Sequence, residues 1–255
     1  MPGSLESGAV NHSEPIHLRP TTTLAERVLL PGDPGRALAL AQFLLSDPLM
    51  FNHHRGLWGY TGTAADGEPL TIQSTGMGGP SAAIVLQELI FLGVTQAIRV
   101  GTCGALDASL GLGDLVIARE AIAADGTSTA LGAQGHTNAD PTLTDALERE
   151  AKRFQIGASH ARAGRIVSTD LFYERDPKRN ADWSAEGALA VEMEASTLFA
   201  VGKNAGIAVA CVLAVSDTFL GEDVDGPNDR LHIEEHTLTE AAEAMGSIAA
   251  AALAG

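Results

Sequence analysis

Positive charge is scarce in this chain. Of 255 residues only 16 are Lys or Arg, against 32 Asp or Glu, giving a formal net charge of −16. A chain this acidic repels polyanions at long range, which argues against nucleic acid or an anionic membrane surface as a partner. Lysine is scarcer still: Lys152, Lys178 and Lys203 are the whole complement, so the cations are almost all arginines. A small anion can be bound here only where guanidinium groups are aimed at it locally. Cysteine is reduced to Cys103 and Cys211, each in an apolar stretch. Both read as reduced core thiols, so no disulfide framework is expected and a reducing compartment fits. Long apolar runs are missing too. None approaches the roughly 18 residues of a membrane span, and the polar residues 1–14 carry no signal-peptide core. The expectation is a cytoplasmic protein with no membrane and no nucleic-acid partner.

What remains is an ordinary globular balance, with 45% hydrophobic and 19% charged residues. The length suits one large α/β domain or two small ones. Residues 1–14 read as a flexible arm and 15–255 as one domain. Strands are expected at Arg27–Leu30, Leu57–Thr63, Leu70–Thr75, Gln96–Val100, Asp114–Ala118, Ala163–Ser168, Leu189–Glu192 and Ile207–Val215. Helices are expected after Arg36 to about Leu45, from the turn at Pro80 to about Leu92, over residues 141–156 and 195–205, and from Leu231 to Leu253. Residues 65–68 look like a hairpin turn between two of the strands. Strands alternating with helices predict an α/β fold with a central, largely buried sheet.

In open α/β sheets, ligands sit beyond the carboxyl ends of the strands. The first strand leads into Gly32-Asp33-Pro34-Gly35-Arg36. Glycines let backbone N–H groups approach an anion, a helix N-terminus adds partial positive charge, and Arg36 supplies a fork of donors. A plain strand-to-helix turn with a surface arginine is the alternative. Arg99 lies inside the apolar run Ile98-Arg99-Val100-Gly101-Thr102-Cys103-Gly104. A buried guanidinium needs either a carboxylate or a bound anion beside it, and Thr102 adds a hydroxyl nearby. Val191-Glu192-Met193-Glu194 brings two carboxylates to a strand end. They suit sugar hydroxyls, and equally the simple preference of acids for a helix start. Asp217 follows Val215-Ser216 at the end of the most hydrophobic strand, placed either for general-acid work or as a cap.

Two motifs lead elsewhere. His232-Ile233-Glu234-Glu235-His236 fits a zinc-peptidase pattern, but that requires a third ligand and a cleft around a helix that is acidic and otherwise reads as a surface element, so no metal is expected. Gly76-Met77-Gly78-Gly79-Pro80-Ser81 fails the dinucleotide fingerprint at its sixth position.

Taken in order, these blocks resemble the nucleoside phosphorylase I family, and within it the hexameric bacterial purine nucleoside phosphorylases. The likeness runs from Pro15-Ile16-His17 through Leu30 to Arg36, His54 to Gly62, Thr75 to Gly78, Ile98 to Ala105, Asp170 to Tyr173 and Val191 to Ala195, to Val215-Ser216-Asp217. The resemblance implies a single α/β domain whose mixed, twisted sheet is partly barrel-like and flanked by helices. It implies phosphorolysis of a purine nucleoside, with inorganic phosphate as co-substrate and no further cofactor. Gly32, Arg36, Arg99 and Thr102 would hold phosphate, with Arg55 arriving from a neighbouring subunit. His17, also from the neighbour, would meet the ribose 5′-hydroxyl. Met77, Met193 and Glu194 would hold the ribose. Cys103, Gly104, Phe172, Glu192 and Ser216 would line the base side. Asp217 would protonate the leaving purine, assisted by Arg230. A homo-oligomer follows from the shared site, and the resemblance implies that it is a hexamer built as a trimer of dimers. Thr102 stands where relatives often carry serine, and residues 219–229 depart from the family pattern near the base site. Uridine phosphorylase and 5′-methylthioadenosine phosphorylase are the alternatives within the family, and a non-catalytic nucleoside-binding protein lies outside it.

Overall fold

The computed structural model describes residues 15–154, 160–176, 178–219 and 230–255. The expected arm, residues 1–14, and most of the 219–229 segment lie outside the described residues. One mixed sheet of eleven strands organises the rest.

Its central strand is β5 (Gln96–Ala105), which pairs in parallel with β1 (Arg27–Leu30) on one side and with β10 (Ala208–Thr218) on the other. Beyond β1 the sheet continues through β4 (Pro69–Gln73) and β3 (Gly59–Thr63) to an edge strand, β2 (Ser46–Asn52). On the other side the chain closes a ring. β10 pairs with β6 (Leu115–Ala124), β6 with β8 (Ala161–Thr169), β8 with β9 (Ala188–Glu192), and β9 returns to β5. This five-strand barrel is the expected partly closed sheet. Closure removes exposed edges where the backbone would otherwise be unpaired. Two short strands decorate the ring, β7 (His136–Asn138) on β6 and β11 (Leu231–His232) on β10.

Side-chain alternation decides what covers each face. Val28 and Leu30 pack with α2 (Gly79–Phe91) and α6 (Ala195–Ala205), whereas Leu29 between them packs with α1 (Pro34–Leu44), α4 (Pro141–Arg153) and α7 (Glu235–Ala252). The period of two in a strand sends neighbours to opposite faces, so a three-residue run of Val-Leu-Leu serves two cores at once. Asp33, Asp125 and Asp140 cap α1, α3 (Gly126–Ala130) and α4, each accepting from a backbone N–H in the first turn. Among the described residues no helix is long and apolar enough to cross a membrane.

Several boundaries depart from expectation, among them that of β6, which runs on from Ala118 to Ala124. β5 does not end at Val100 but runs on through Gly101-Thr102-Cys103-Gly104, because β10 pairs with it along its whole length. β10 likewise carries Ser216 and Asp217 inside the strand, with a bulge between Val215 and Asp217. The closing helix starts at Glu235 instead of Leu231, since Leu231 and His232 pair antiparallel with Thr218 and Asp217. α4 ends at Arg153, with Phe154 in the cap position, short of residue 156. The strands β2 and β7 and the helices α3 and α5 (Arg179–Ala185) were not anticipated; each is short or lacks a clean apolar period.

Candidate active site

A cleft of about 410 Å³ opens where residues ending or following β1, β4, β5, β8, β9 and β10 converge. Its volume suits a small organic substrate. Of the expected site residues, the cleft gathers Gly32, Arg36, Met77, Arg99, Thr102, Cys103, Gly104, Phe172, Glu192, Met193, Glu194, Ser216, Asp217 and Arg230. His17 and Arg55 are not among its lining residues.

One end is built on Arg99. It is 4% exposed, and its Nε donates to Glu192 Oε2 at 2.8 Å while Nη2 meets Glu194 Oε2. Nη1 is buried and finds no partner among the described residues. The sequence left two readings for Arg99, a carboxylate partner or an anion; the structure supplies the carboxylates and still leaves one donor nitrogen unspent. Burial alone would lower the Arg99 pKa, but Glu194 and Glu192 outweigh it and hold the guanidinium charged. Gly101 makes this packing possible: a Cβ there would stand 2.8 Å from the guanidinium carbon.

Arg36 lines the same end from α1, with its backbone N–H held by Asp33 Oδ1 at 2.7 Å. Among the described residues its side chain has no ion-pair partner within 4.0 Å. Burial pushes its pKa down, Asp33 pulls it up, and the positive charge of Arg99 pushes it down again. Two guanidiniums close enough to repel each other are stabilised by an anion between them. The loop after β1 is clasped to the loop after β4, since Thr75 N–H donates to Pro31 O at 2.9 Å and Gly76 N–H to Gly32 O at 3.0 Å. The turn is thus a fixed wall of the cleft.

The two glutamates divide. Glu194 accepts from Gly78 N–H at 2.5 Å as well as from Arg99, and so ties the loop after β4 to the start of α6. Burial raises its pKa, Arg99 opposes, and the neighbouring Glu192 charge raises it further. Glu192, expected on the base side, turns its carboxylate inward. Oε1 accepts from Ser168 Oγ at 2.5 Å, and both oxygens accept backbone N–H groups of Glu194 and Ala195 at 2.9–3.1 Å.

The opposite end is aromatic. The Arg230 guanidinium lies 4.1 Å from the Phe172 ring centroid and 4.5 Å from that of Phe219, and pairs with Asp217 Oδ1 at 3.1 Å. Ser216 Oγ donates to Asp217 Oδ2 at 2.8 Å. Gly104 keeps this corner open: a Cβ would meet Phe219 Cε2 at 2.6 Å and Asp217 Oδ1 at 2.9 Å. The Cys103 thiol faces the Ala214 carbonyl at 3.7 Å, and burial pushes its pKa well up. Phe219, Thr169 and Trp183 also line the cleft and were not singled out in the sequence. Trp183 comes from α5, whose brief helix offers no legible period.

His17 and Arg55 sit elsewhere, and close to each other along the fold. His17 Nδ1 pairs with Glu88 Oε1 on α2 at 2.7 Å, and the His17 carbonyl meets His54 Nδ1 at 3.0 Å. Arg55 is solvent-exposed, in a turn with φ 59°. The zinc-peptidase pair is dismantled: His232 lies in β11, while His236 in α7 is 79% exposed and paired with Glu240. Among the described residues no three potential ligands cluster for a metal.

A model of the phosphorylase superfamily matches residues 26–254. A purine nucleoside phosphorylase DeoD-type from Clostridium novyi (strain NT) is 40% identical over 205 residues, which is 78% of this chain and 86% of that protein. The protein of the same description from Clostridium beijerinckii (strain ATCC 51743 / NCIMB 8052) is 38% identical over 84% of this chain and 91% of its own length. That from Geobacillus kaustophilus (strain HTA426) is 37% identical with the same two coverages. With the cleft, the closed ring and these matches in agreement over most of its length, the chain belongs to the phosphorylase superfamily.

Proposed function

We infer that this protein is a purine nucleoside phosphorylase: it transfers the pentosyl group of a purine nucleoside to inorganic phosphate, giving free base and ribose 1-phosphate. The observation that carries the reading is one cleft with an arginine-lined anion end and an Asp217–Arg230 pair walled by aromatic rings at the other. Those ends are where phosphate and base must sit for a sugar held between them to react.

Breaking the glycosidic bond builds positive charge on the sugar and negative charge on the departing base. Phosphate held by Gly32, Arg36, Arg99 and Thr102 approaches C1′, and its negative charge favours the oxocarbenium-like sugar. Glu194, with Met193 and Met77 about the ribose, accepts from sugar hydroxyls. Asp217 delivers a proton to the purine, with Arg230 beside it, while Phe172 and Phe219 stack at the base. Positioning turns a bimolecular encounter into an oriented one, and general-acid help of this kind is typically worth about 10²–10⁴ in rate. Fixed donors add preorganised stabilisation.

Charge accounting supports an oligomer. Glu192 and Glu194 more than offset Arg99, leaving Arg36 to balance a phosphate from its own chain. A neighbour's Arg55 would supply the missing cation and its His17 the contact to the 5′-hydroxyl, in a hexamer arranged as a trimer of dimers. The setting is cytoplasmic, in keeping with two free thiols. The uridine alternative is disfavoured by Arg165, whose Nε donates to Glu120 at 2.7 Å and whose Nη1 donates to the Glu186 carbonyl at 2.8 Å, outside the cleft.

The test is a panel of nucleosides incubated with and without phosphate, with free base measured. Phosphate-dependent release from inosine, guanosine or adenosine, exceeding that from uridine, is expected. Release that proceeds equally in phosphate-free buffer would overturn the reading in favour of hydrolysis.

A further inference from the structure

We propose that Glu192 is a positioning residue for phosphate, acting through Arg99 without touching phosphate or base. The inference rests on the phosphorylase reading above.

Counting lone pairs carries it. A carboxylate offers about four acceptor sites. On Glu192, Oε2 takes Arg99 Nε at 2.8 Å and the Glu194 amide at 2.9 Å. Oε1 takes Ser168 Oγ at 2.5 Å and the Ala195 amide at 2.9 Å. The side chain is 1% exposed, so neither water nor a purine edge completes its bonding. Ser168 is itself fixed, accepting from the Ser196 amide at 2.8 Å. Glu192 therefore joins three things: the end of β8, the first turn of α6 and the guanidinium. The positive end of the α6 dipole favours its negative charge.

The consequence falls on Arg99. A guanidinium is planar, so fixing Nε on Glu192 and Nη2 on Glu194 fixes where Nη1 lies. Nη1 is the nitrogen without a partner. Glu192 thus holds the plane of Arg99 with one donor reserved for the anion, and at the same time holds the backbone of Glu194 in place.

Through-space electrostatics and positioning predict opposite signs. Replacing Glu192 by Gln removes a negative charge near the anion site, which by charge alone tightens phosphate. Positioning predicts the reverse: the amide NH2 confronts a donor that the carboxylate accepted, the plane turns, and phosphate binds more weakly.

The experiment is steady-state phosphorolysis of inosine with inorganic phosphate as the varied substrate, for the wild type, Glu192→Gln and Ser168→Ala. The expected result for Glu192→Gln is a KM for phosphate raised about tenfold or more, with a smaller change in the KM for inosine. Ser168→Ala, which loosens the same carboxylate without altering charge, should raise the phosphate KM less. An unchanged or lowered phosphate KM in folded Glu192→Gln overturns the proposal. If that variant does not fold, Ser168→Ala decides alone, and an unaltered phosphate KM overturns it. A merely structural role lowers the active fraction, and so the apparent kcat, at constant KM. Wild-type protein that releases base without need of phosphate overturns the phosphorylase reading instead, so the two failures are separate.

Discussion

Asp217 and Arg230 meet at 3.1 Å although they lie on opposite sides of the 220–229 segment, and the guanidinium of the pair lies over the rings of both Phe172 and Phe219. The register of β11 on β10 creates this meeting, since Asp217 pairs with His232, two residues beyond Arg230. A carboxylate that has an arginine on one oxygen and a hydroxyl on the other is oriented before substrate arrives.

Asp217→Asn keeps the shape and removes the transferable proton. Its kcat for inosine should fall by about 10²–10⁴. The phosphate KM should stay within a few-fold of wild type, because Arg36 and Arg99 are untouched. Full turnover in this variant would refute the acid role.

Arg99→Ala should fail in two measurements. The phosphate KM rises sharply, and a phosphate dependence equal to wild type contradicts the assignment. Stability falls as well, because Glu192 and Glu194 are left buried without their cation. Losing one partner of a buried pair costs about 3–5 kcal/mol. Urea unfolding measures it.

If Arg55 serves the site of a neighbour, complementation follows. Arg55→Ala and Asp217→Asn homo-oligomers should each be nearly inactive. Co-expressed, they should recover about a quarter of the wild-type rate, because half of randomly assorted pairs are mixed and one site of each mixed pair is intact. Activity no greater than the sum of the two variants alone would refute sharing.

The segment carrying His17 should loosen in acid. Burial pushes the Glu88 pKa up, but the Leu18 amide, the His17 ring and the amides of His17 and Ile16 together hold it below the usual carboxylate range. A depressed carboxylate stabilises fully above its unfolded value of about 4.3 and loses that contribution as pH falls through the folded one. Hydrogen exchange at residues 16–18, corrected for its intrinsic pH dependence, should show protection lost in that window. Glu88→Gln should lower protection at neutral pH and flatten the profile.

Much of the cleft was legible because its chemistry rides on short ordered blocks. Arg99 announced itself as a charge inside an apolar strand, and Glu192-Met193-Glu194 as acids at a strand end. What each would do there was not legible. Two glutamates two residues apart look alike in sequence; both reach Arg99, but the fold sends one on to Ser168 and the other to Gly78. Phe219 and Trp183 were missed because a single aromatic in an aperiodic stretch gives no local signal.

The alternation of strands with helices, the scarcity of positive charge and the identity of the arginines belong to the amino-acid sequence itself, because periodicity, composition and charge are local properties. The tertiary structure alone decided that β5 and β10 run on past their apolar cores, that β11 replaces the first turn of a helix, and that the sheet closes into a ring. Those outcomes depend on backbone hydrogen bonds between segments up to about a hundred residues apart, and long-range pairing overrides local preference wherever it satisfies buried N–H and C=O groups.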